Sequence, residues 1–479
     1  MVREAAGSGW QAWVGWLDGL QLPRLYLCWG GLSLLLLVWV TPPFQVPDEP
    51  QHYYRSFQLS EGHWRPVLQQ GQAGAQLPLS LMALVEHFLG SREHHTDRHL
   101  LPQPWRATLQ QLQRPLQEGE RGFIEFTGGV LYPPLHYLPQ ALAMAAGRAL
   151  DLGPLALLYA GRLANALAAL LLCAAGLRLL PAGRAAVLLL ALLPMTQYMM
   201  ASLSPDALTM AGGFLLAGLL LRFAHDGRWD WGRCLGFLLA GLLLCWVKVV
   251  YLPLLAAGVA LLASEGRWRV PAWRRAVAWQ LLALLLVALA ILAWQLGRPA
   301  GLTGGREGVD AAAQLAYLRE HWLRPVRIAL RSIQVQAIFL SDSTVGLLGW
   351  LTLKLPGWVT PLAAGALLLS LWGSAEPGRA RLPMVMLCWS WLLGLVCVVA
   401  VEMALYVGWT PVGGYFVEGV QGRYFTPLLP LLAACLSARL APARPAEALA
   451  RAAQAGVLLA ALLLTLAMHV TQVRAYELF

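Results

Sequence analysis

The feature that most constrains this chain is a succession of apolar runs, each about long enough to cross a bilayer. A spanning helix needs roughly 20 predominantly apolar residues. Such runs stand at 25–41, 155–177, 184–203, 206–222, 233–248, 250–264, 274–296, 357–373, 384–407, 423–440 and 453–471. In hydrocarbon no water satisfies the backbone, so each run must be helical. Composition agrees: 58% of the 479 residues are hydrophobic and 13% are charged, about half the charged share of a soluble domain. The expected fold class is all-α, a polytopic integral membrane protein of about eleven transmembrane helices.

One further run, 132–150, is apolar but holds Pro133, Pro134, His136, Pro139 and Arg148. Charge decides its place. With this run left out as a span and the leader 1–24 in the cytoplasm, the arginines around 178–184, 222–233, 267–275, 379–381 and 439–451 all face the cytoplasm. Counting it as a span reverses every one of these loops against the positive-inside rule. It is therefore expected to be a re-entrant or surface-lying helix on the outer side, where such segments line a cavity or pack in protein. The same placement accounts for the basic balance, 35 Lys+Arg against 25 Asp+Glu, without nucleic acid as a partner.

The leader lacks a cleavable-signal pattern, so 25–40 reads as an uncleaved first span. The expected plan is a cytoplasmic leader 1–24, a catalytic module 25–296 that includes the long outer loop 42–154, a second outer loop 297–356, and C-terminal transmembrane helices 357–479. Both outer loops contain amphipathic stretches suited to an interface. In 77–89, Leu81, Val85 and Phe88 share a face; near 311–335, Leu315, Leu318 and Trp322 do, accompanied by Arg319, Arg324, Arg327 and Arg331. The seven cysteines lie in or beside apolar runs, which leaves no disulfide framework.

On this topology the outer face collects the residues capable of chemistry. Directly after the first span comes Pro47-Asp48-Glu49-Pro50-Gln51-His52. Pro50 suits a first helical turn, which puts Asp48 and Glu49 at the cap. They are read either as simple helix caps or as a general base with its neighbour. Tyr132-Pro133-Pro134-Leu135-His136 opens the re-entrant helix, and Arg162 lies about two turns inside the second span. Ser204-Pro205-Asp206 makes one outer turn, Lys248 to Tyr251 another, and Gln421-Gly422-Arg423-Tyr424 opens the tenth span. Glu402 lies near the outer end of the ninth span, as a partner for a buried arginine or as a catalytic group. Boundary and intramembrane ionisable groups are costly and hence candidate functional residues, although Lys248 and Arg423 alone could be snorkelling anchors. The cluster from Glu93 to His99 could ligate a metal but suits a solvated loop better.

In order and side, these motifs resemble the GT-C glycosyltransferase superfamily, membrane enzymes that use polyprenyl-phosphate-linked sugars. The similarity rests on Asp48/Glu49 after span one, Tyr132-Pro133-Pro134-Leu135, Arg162, Ser204-Pro205-Asp206 and Lys248. A closer resemblance is to a bacterial branch known mainly as a domain of unknown function. Its marks here are Pro47-Asp48-Glu49-Pro50 with His52, Gly349-Trp350-Leu351 with Leu355-Pro356, and Gln421-Gly422-Arg423-Tyr424-Phe425. An Asp close behind Leu351, which that pattern would include, is missing; Lys354 stands there.

The resemblance implies a GT-C-like fold and an inverting transfer from a polyprenyl-phosphate-linked sugar to a glycan or other envelope acceptor. The setting would be the outer, periplasmic face of a bacterial inner membrane. It implies Asp48 and Glu49 as the catalytic residues, Asp48 as the base that takes the acceptor proton and Glu49 holding nearby groups or binding the sugar. Arg423 and Lys248 would hold the leaving phosphate, with Arg162, Asp206, Tyr132, His136, Tyr251, Tyr424 and Glu402 lining the substrate site. No cofactor is required, and a divalent metal near Asp48/Glu49 stays open. Two other readings compete: a transporter or flippase of a lipid-linked saccharide, and a non-catalytic membrane partner in glycan assembly. The first predicts repeated broken helices, and the second tolerates loss of Asp48.

Overall fold

The computed structural model describes residues 21–90, 103–263, 270–297, 308–321, 323–372, 382–440 and 447–478. Among these, six helices are long and apolar enough to cross a membrane: α1 (Leu22–Val40), α6 (Pro154–Leu179), α9 (Asp206–Asp226), α11 (Pro271–Leu296), α15 (Met384–Gly408) and α17 (Glu447–Ala475). Shorter apolar helices stand between them: α10 (Trp231–Cys245), α14 (Val359–Trp372) and α16 (Leu429–Leu440). The chain is a polytopic, multi-pass membrane protein, mostly helical.

Two expected spans have an irregular form. The run 184–203 is two short helices, α7 (Arg184–Ala191) and α8 (Pro194–Met200), separated where Pro194 removes a backbone donor. Every residue from Ala185 to Met200 is buried, so the break sits inside protein, as a break at membrane depth must. The run 250–264 is a 3-10 helix, Val249–Ala263, with Pro253 inside it.

The run 132–150 holds a 3-10 turn, Pro134–Tyr137, and then α5 (Leu138–Ala149). Twelve residues make a helix about 18 Å long, too short to span. One face, Gln140, Ala141, Met144 and Gly147, is buried, while Leu138 and Leu142 are exposed.

The segment after α1 is not all-helical as expected. Around α2 (Glu49–Ser60), α3 (Leu79–Leu89) and α4 (Trp105–Gln111), strands β1 (Val67–Gln69), β2 (Gln72–Pro78) and β3 (Arg121–Glu125) form an antiparallel sheet in the order β1-β2-β3. Gln69 pairs with Gln72, and Ala75 with Ile124. These short polar strands carry too little alternation to be told from loop. The amphipathic reading of 77–89 does match: Leu81, Leu84, Val85 and Phe88 are buried along one face of α3.

The second outer segment divides into α12 (Ala311–Glu320) and α13 (Arg324–Val345), followed by a two-stranded pair, β4 (Leu347–Leu348) and β5 (Leu353–Lys354). The face expected near 311–335 is split: Leu318 packs against the small core around Ile328, Leu340 and Tyr406. Leu315 is exposed, and Trp322 lies outside the described residues.

Helices α6 and α9 cross at glycine. A methyl group on Gly218 would lie 2.3 Å from the carbonyl oxygen of Gly176, and one on Gly176 would lie 2.4 Å from that of Phe214. Small residues permit such backbone approach in membrane bundles. Gly218→Val should therefore force the two helices apart and destabilise the fold by about 1–3 kcal/mol, the usual cost of overpacking. A lowered Tm of the purified protein in detergent would show this; an unchanged Tm would place the crossing elsewhere.

Candidate functional site

The site gathers where α1, α6, α9 and α10 end or begin, under the short helices that follow α1. Its foundation is a closed ion pair. Arg162, on α6, donates from Nε to Glu49 Oε1 at 2.8 Å and from Nη2 to Glu49 Oε2 at 2.5 Å. Both side chains are fully buried. Arg162 also donates to the carbonyl oxygens of Val38 (3.3 Å), Thr41 (2.6 Å) and Pro42 (3.0 Å). Glu49 in turn accepts from the backbone N–H of Phe44 (3.1 Å) and of Leu203 (3.2 Å). A buried charge is tolerable only with its partners this complete.

These contacts correct the expected roles. Glu49 has its oxygens committed to four donors, so it has no free lone pair facing a substrate. Arg162 spends both η nitrogens and Nε on protein, so it cannot also grip a phosphate. Together they position the 41–49 segment instead. Other groups pin the same segment: Trp350 Nε1 donates to Phe44 O (3.1 Å), Tyr198 Oη to Gln45 O (2.7 Å), and Thr41 Oγ1 to Gln472 Oε1 (2.8 Å).

Held in this collar, Asp48 takes the left-handed backbone conformation, φ 61° and ψ 8°. Asp is among the few residues that visit this region, and off-basin residues of this kind concentrate at functional sites. Its side chain makes no capping hydrogen bond to α2 and is exposed, although Thr41 to Pro47 and Glu49 are all buried. The helix-cap reading therefore does not describe its carboxylate.

Opposite lies a cationic group built from three distant segments. Lys248 Nζ donates to Asp206 Oδ1 at 2.7 Å, and Arg423 Nε lies 3.9 Å from Asp206 Oδ2, beyond hydrogen-bond reach. Arg423 Nε is buried without a hydrogen-bond partner among the described residues, while Nη1 rests against Met199 Sδ at 3.3 Å. The Tyr424 ring sits 4.2 Å from Lys248 Nζ, within cation–π range. Tyr251 Oη fixes that ring's backbone by donating to Tyr424 O at 2.5 Å. Asn165 Nδ2 holds the Ser204-Pro205-Asp206 turn through Ser202 O (2.7 Å) and Ser204 O (3.1 Å).

His52, one helical turn after Asp48, is a site residue that the sequence reading did not assign. It packs edge-on to Tyr132, with ring centroids 5.7 Å apart, and its Nδ1 is 2.9 Å from Tyr137 Oη. The Tyr137 hydroxyl lies between His52 Nδ1 and Gly129 O, 3.4 Å from the latter, and so ties the imidazole to the 129–137 turn. Burial pushes His52 down to about 4, against the pull of Asp48, Asp206 and Glu49, so it is neutral at physiological pH. The available signals were its i, i+4 spacing from Asp48 and its place in the motif Pro47-Asp48-Glu49-Pro50-Gln51-His52.

His136 is turned away: its Nε2 meets Leu243 O at 2.8 Å, tying the 3-10 turn to α10. Glu402, on α15, is fully buried with both oxygens unpartnered among the described residues. Among the described residues it therefore has no arginine partner and no hydrogen bond to the Asp206 group. No three His, Cys, Asp or Glu side chains converge on a metal-sized space among the described residues. The cluster from Glu93 to His99 lies outside them.

A family model described as a predicted membrane protein, DUF2142, matches residues 32–432. The chain belongs to the DUF2142 family. The matched region takes in Asp48, His52, Arg162, Asp206, Lys248 and Arg423, so the collar and the cationic group are both within the DUF2142 part of the chain. No curated protein and no solved structure matches it.

The two adjacent carboxylates should behave oppositely. Glu49→Gln leaves Arg162 charged and buried, at a cost of about 3–5 kcal/mol. Asp48→Asn alters an exposed group that can keep its backbone conformation, at a cost within about 0.5 kcal/mol. Thermal unfolding in detergent should show a large fall in Tm for the first and almost none for the second. Equal falls would refute the division of roles.

Proposed function

We propose that this DUF2142 protein is an inverting glycosyltransferase that moves a sugar from a polyprenyl-phosphate donor to an envelope acceptor. The reaction takes place on the periplasmic side of a bacterial inner membrane, on a GT-C-like scaffold of eleven spans. The observation that carries this reading is the pairing of an exposed carboxylate, Asp48, which makes no hydrogen bond to its helix, with a cation, Arg423, whose Nε is buried without a partner among the described residues. Asp48 and Arg423 lie near enough to influence each other's charge.

In the proposed step an acceptor hydroxyl attacks the anomeric carbon from the face opposite the phosphate. The new C–O bond forms, the bond from the anomeric carbon to the phosphate oxygen breaks, and the hydroxyl proton passes to Asp48. A carboxylate is a weak base for a resting hydroxyl, but it accepts the proton late, as bond formation acidifies the hydroxyl. The leaving polyprenyl phosphate gains negative charge, which preorganised cations stabilise. Arg423 presents the planar fork that suits phosphate oxygens, and Lys248 adds a point charge. Asp206 holds Lys248 and borders Arg423, and so fixes both cations before the donor arrives. Tyr132 and His52 form the wall beside Asp48, where sugar hydroxyls would bind.

Three tests follow from this scheme. Asp48→Asn should fold normally, still bind donor, and lose transfer by at least about 100-fold, the lower range for a general base; near-normal turnover would remove Asp48 from the chemistry and favour the non-catalytic partner. Arg423→Lys keeps the charge but loses the fork, and should weaken donor use by roughly 10- to 100-fold, as for a lost charge-assisted pair. Arg423→Ala binding donor as well as wild type would make Arg423 a mere anchor. For sidedness, a cysteine at the exposed Tyr415 should react with an impermeant thiol reagent from outside, and one at the exposed Arg228 should not. The reverse pattern would overturn the eleven-span topology.

A further inference from the structure

Helix α13 shows three distinct faces. Ile328, Ala329, Ser332, Leu340 and Ser343 are packed against the protein. Val326, Leu330, Ile333 and Ala337, spaced i, i+4, i+7, i+11, form a second stripe that is exposed; Val326 and Leu330 are each 64% exposed. Beside it, Arg324, Arg327 and Arg331 form a third, exposed and basic over the first two turns of the helix; farther along, the same face carries the exposed Val335 and Ile338. Arg324 leans on Tyr317, over whose ring it sits at 5.3 Å. Arg327 and Arg331 make no ion pair among the described residues.

An exposed apolar stripe alone would suit any lipid-facing helix. The neighbouring basic stripe fixes the depth. A helix with one apolar and one arginine-rich exposed face lies in the interface plane, its apolar side at the acyl boundary and its cations among headgroup phosphates. Cations without acidic partners favour anionic over zwitterionic headgroups, by about fivefold per charge near the surface.

The packed face ties this helix to the catalytic cation. Gln336 Nε2 donates to Val417 O (2.8 Å), and Val417 N donates to Ser332 Oγ (2.8 Å). Gly422 N then donates to Ser343 Oγ (2.8 Å), and a methyl group on Gly422 would lie 2.1 Å from Leu340 O. The chain from Val417 to Arg423 is thus fastened along α13, with a glycine needed at the closest approach.

We propose that α13 is an anionic-phospholipid-binding interfacial helix, with Arg327 and Arg331 as its headgroup site, and that it seats the Arg423 turn at the membrane surface. This assignment stands independently of the glycosyltransferase reading, because it concerns bilayer phospholipid and not the sugar donor.

The test uses the full-length protein in vesicles of phosphatidylcholine alone or mixed with phosphatidylglycerol. A fluorophore on Leu330→Cys should be quenched by spin-labelled acyl chains and protected from aqueous iodide. Arg327→Gln/Arg331→Gln should retain phosphatidylglycerol about 25-fold less tightly than wild type, as read by lipid titration in detergent, from fivefold for each charge. Retention of phosphatidylcholine should be unchanged, and salt should erase most of the difference. Arg327→Lys/Arg331→Lys, which keeps the charges, should restore binding, which separates lost charge from misfolding. Free quenching by iodide, protection from both quenchers by a co-purifying protein, equal phosphatidylglycerol retention by wild type and the glutamine variant, or failure of the lysine variant to bind would each overturn the proposal.

Discussion

The buried ion pair between Arg162 and Glu49 is the interaction on which the rest of the site depends. It joins the middle of one spanning helix to the exit of another, and it satisfies backbone carbonyls at Val38, Thr41 and Pro42 that the end of α1 leaves open. Helix ends leave such carbonyls without intrahelical partners, and within a membrane protein few waters can serve them. One guanidinium meets that need and uses its remaining donors to hold Glu49. The charge of each partner makes sense only in the presence of the other. Once the pair is closed, the position of Asp48 follows from covalent geometry: it is the next residue, squeezed between Pro47 and a fixed Glu49, and turned into the left-handed region.

The cationic half of the site is assembled differently. Asp206, Lys248 and Arg423 come from segments far apart in sequence, each held by backbone or hydroxyl contacts to a neighbouring turn: Asn165 at the Ser202–Asp206 turn, Tyr251 at Tyr424, and Ser343 at Gly422. The result is an anion-receptive group whose geometry exists before any ligand arrives, a condition under which fixed charges act most strongly on a developing phosphate. Its coupling to α13 runs through Ser343 and Gly422; with α13 at the interface as proposed, the group would stand at the level of the lipid headgroups.

Much of this was legible from residues alone, for physical reasons that also explain what was not. Apolar runs near 20 residues announce helices at once, and the runs that became α1, α6, α9, α11, α15 and α17 did so. The side of the arginines marked 132–150 as something other than a span, and α5 is indeed too short to be one. The breaks at Pro194 and within Val249–Ala263 were hidden because hydropathy reports burial and not helix continuity. The sheet formed by β1, β2 and β3 was hidden because its strands are short and polar. In the site, Asp48, Glu49, Arg162, Asp206, Lys248 and Arg423 were all found as candidates. Spacing could not say which of two adjacent carboxylates faces inward, since neighbouring positions at a helix start diverge by about 100° and either could pair. Arg162 therefore looked like a residue of the substrate site, and Glu49 like a second group of the catalytic site. His52 was overlooked because its meaning depends on Tyr137 and Gly129, residues remote from it in sequence.

In the proposed reaction, Asp48 and the Arg423 group transfer a sugar and release a lipid phosphate. The most direct measurement incubates purified wild-type protein in vesicles with radiolabelled polyprenyl-phosphate sugars and membrane extract as the acceptor source. It follows both the label and the free polyprenyl phosphate. With one of the donors, label should leave the lipid-phosphate pool for an acceptor while free polyprenyl phosphate appears in equal amount, as the proposed transfer requires. Label that crosses the bilayer still attached to its lipid, or label that leaves no donor at all, would contradict it.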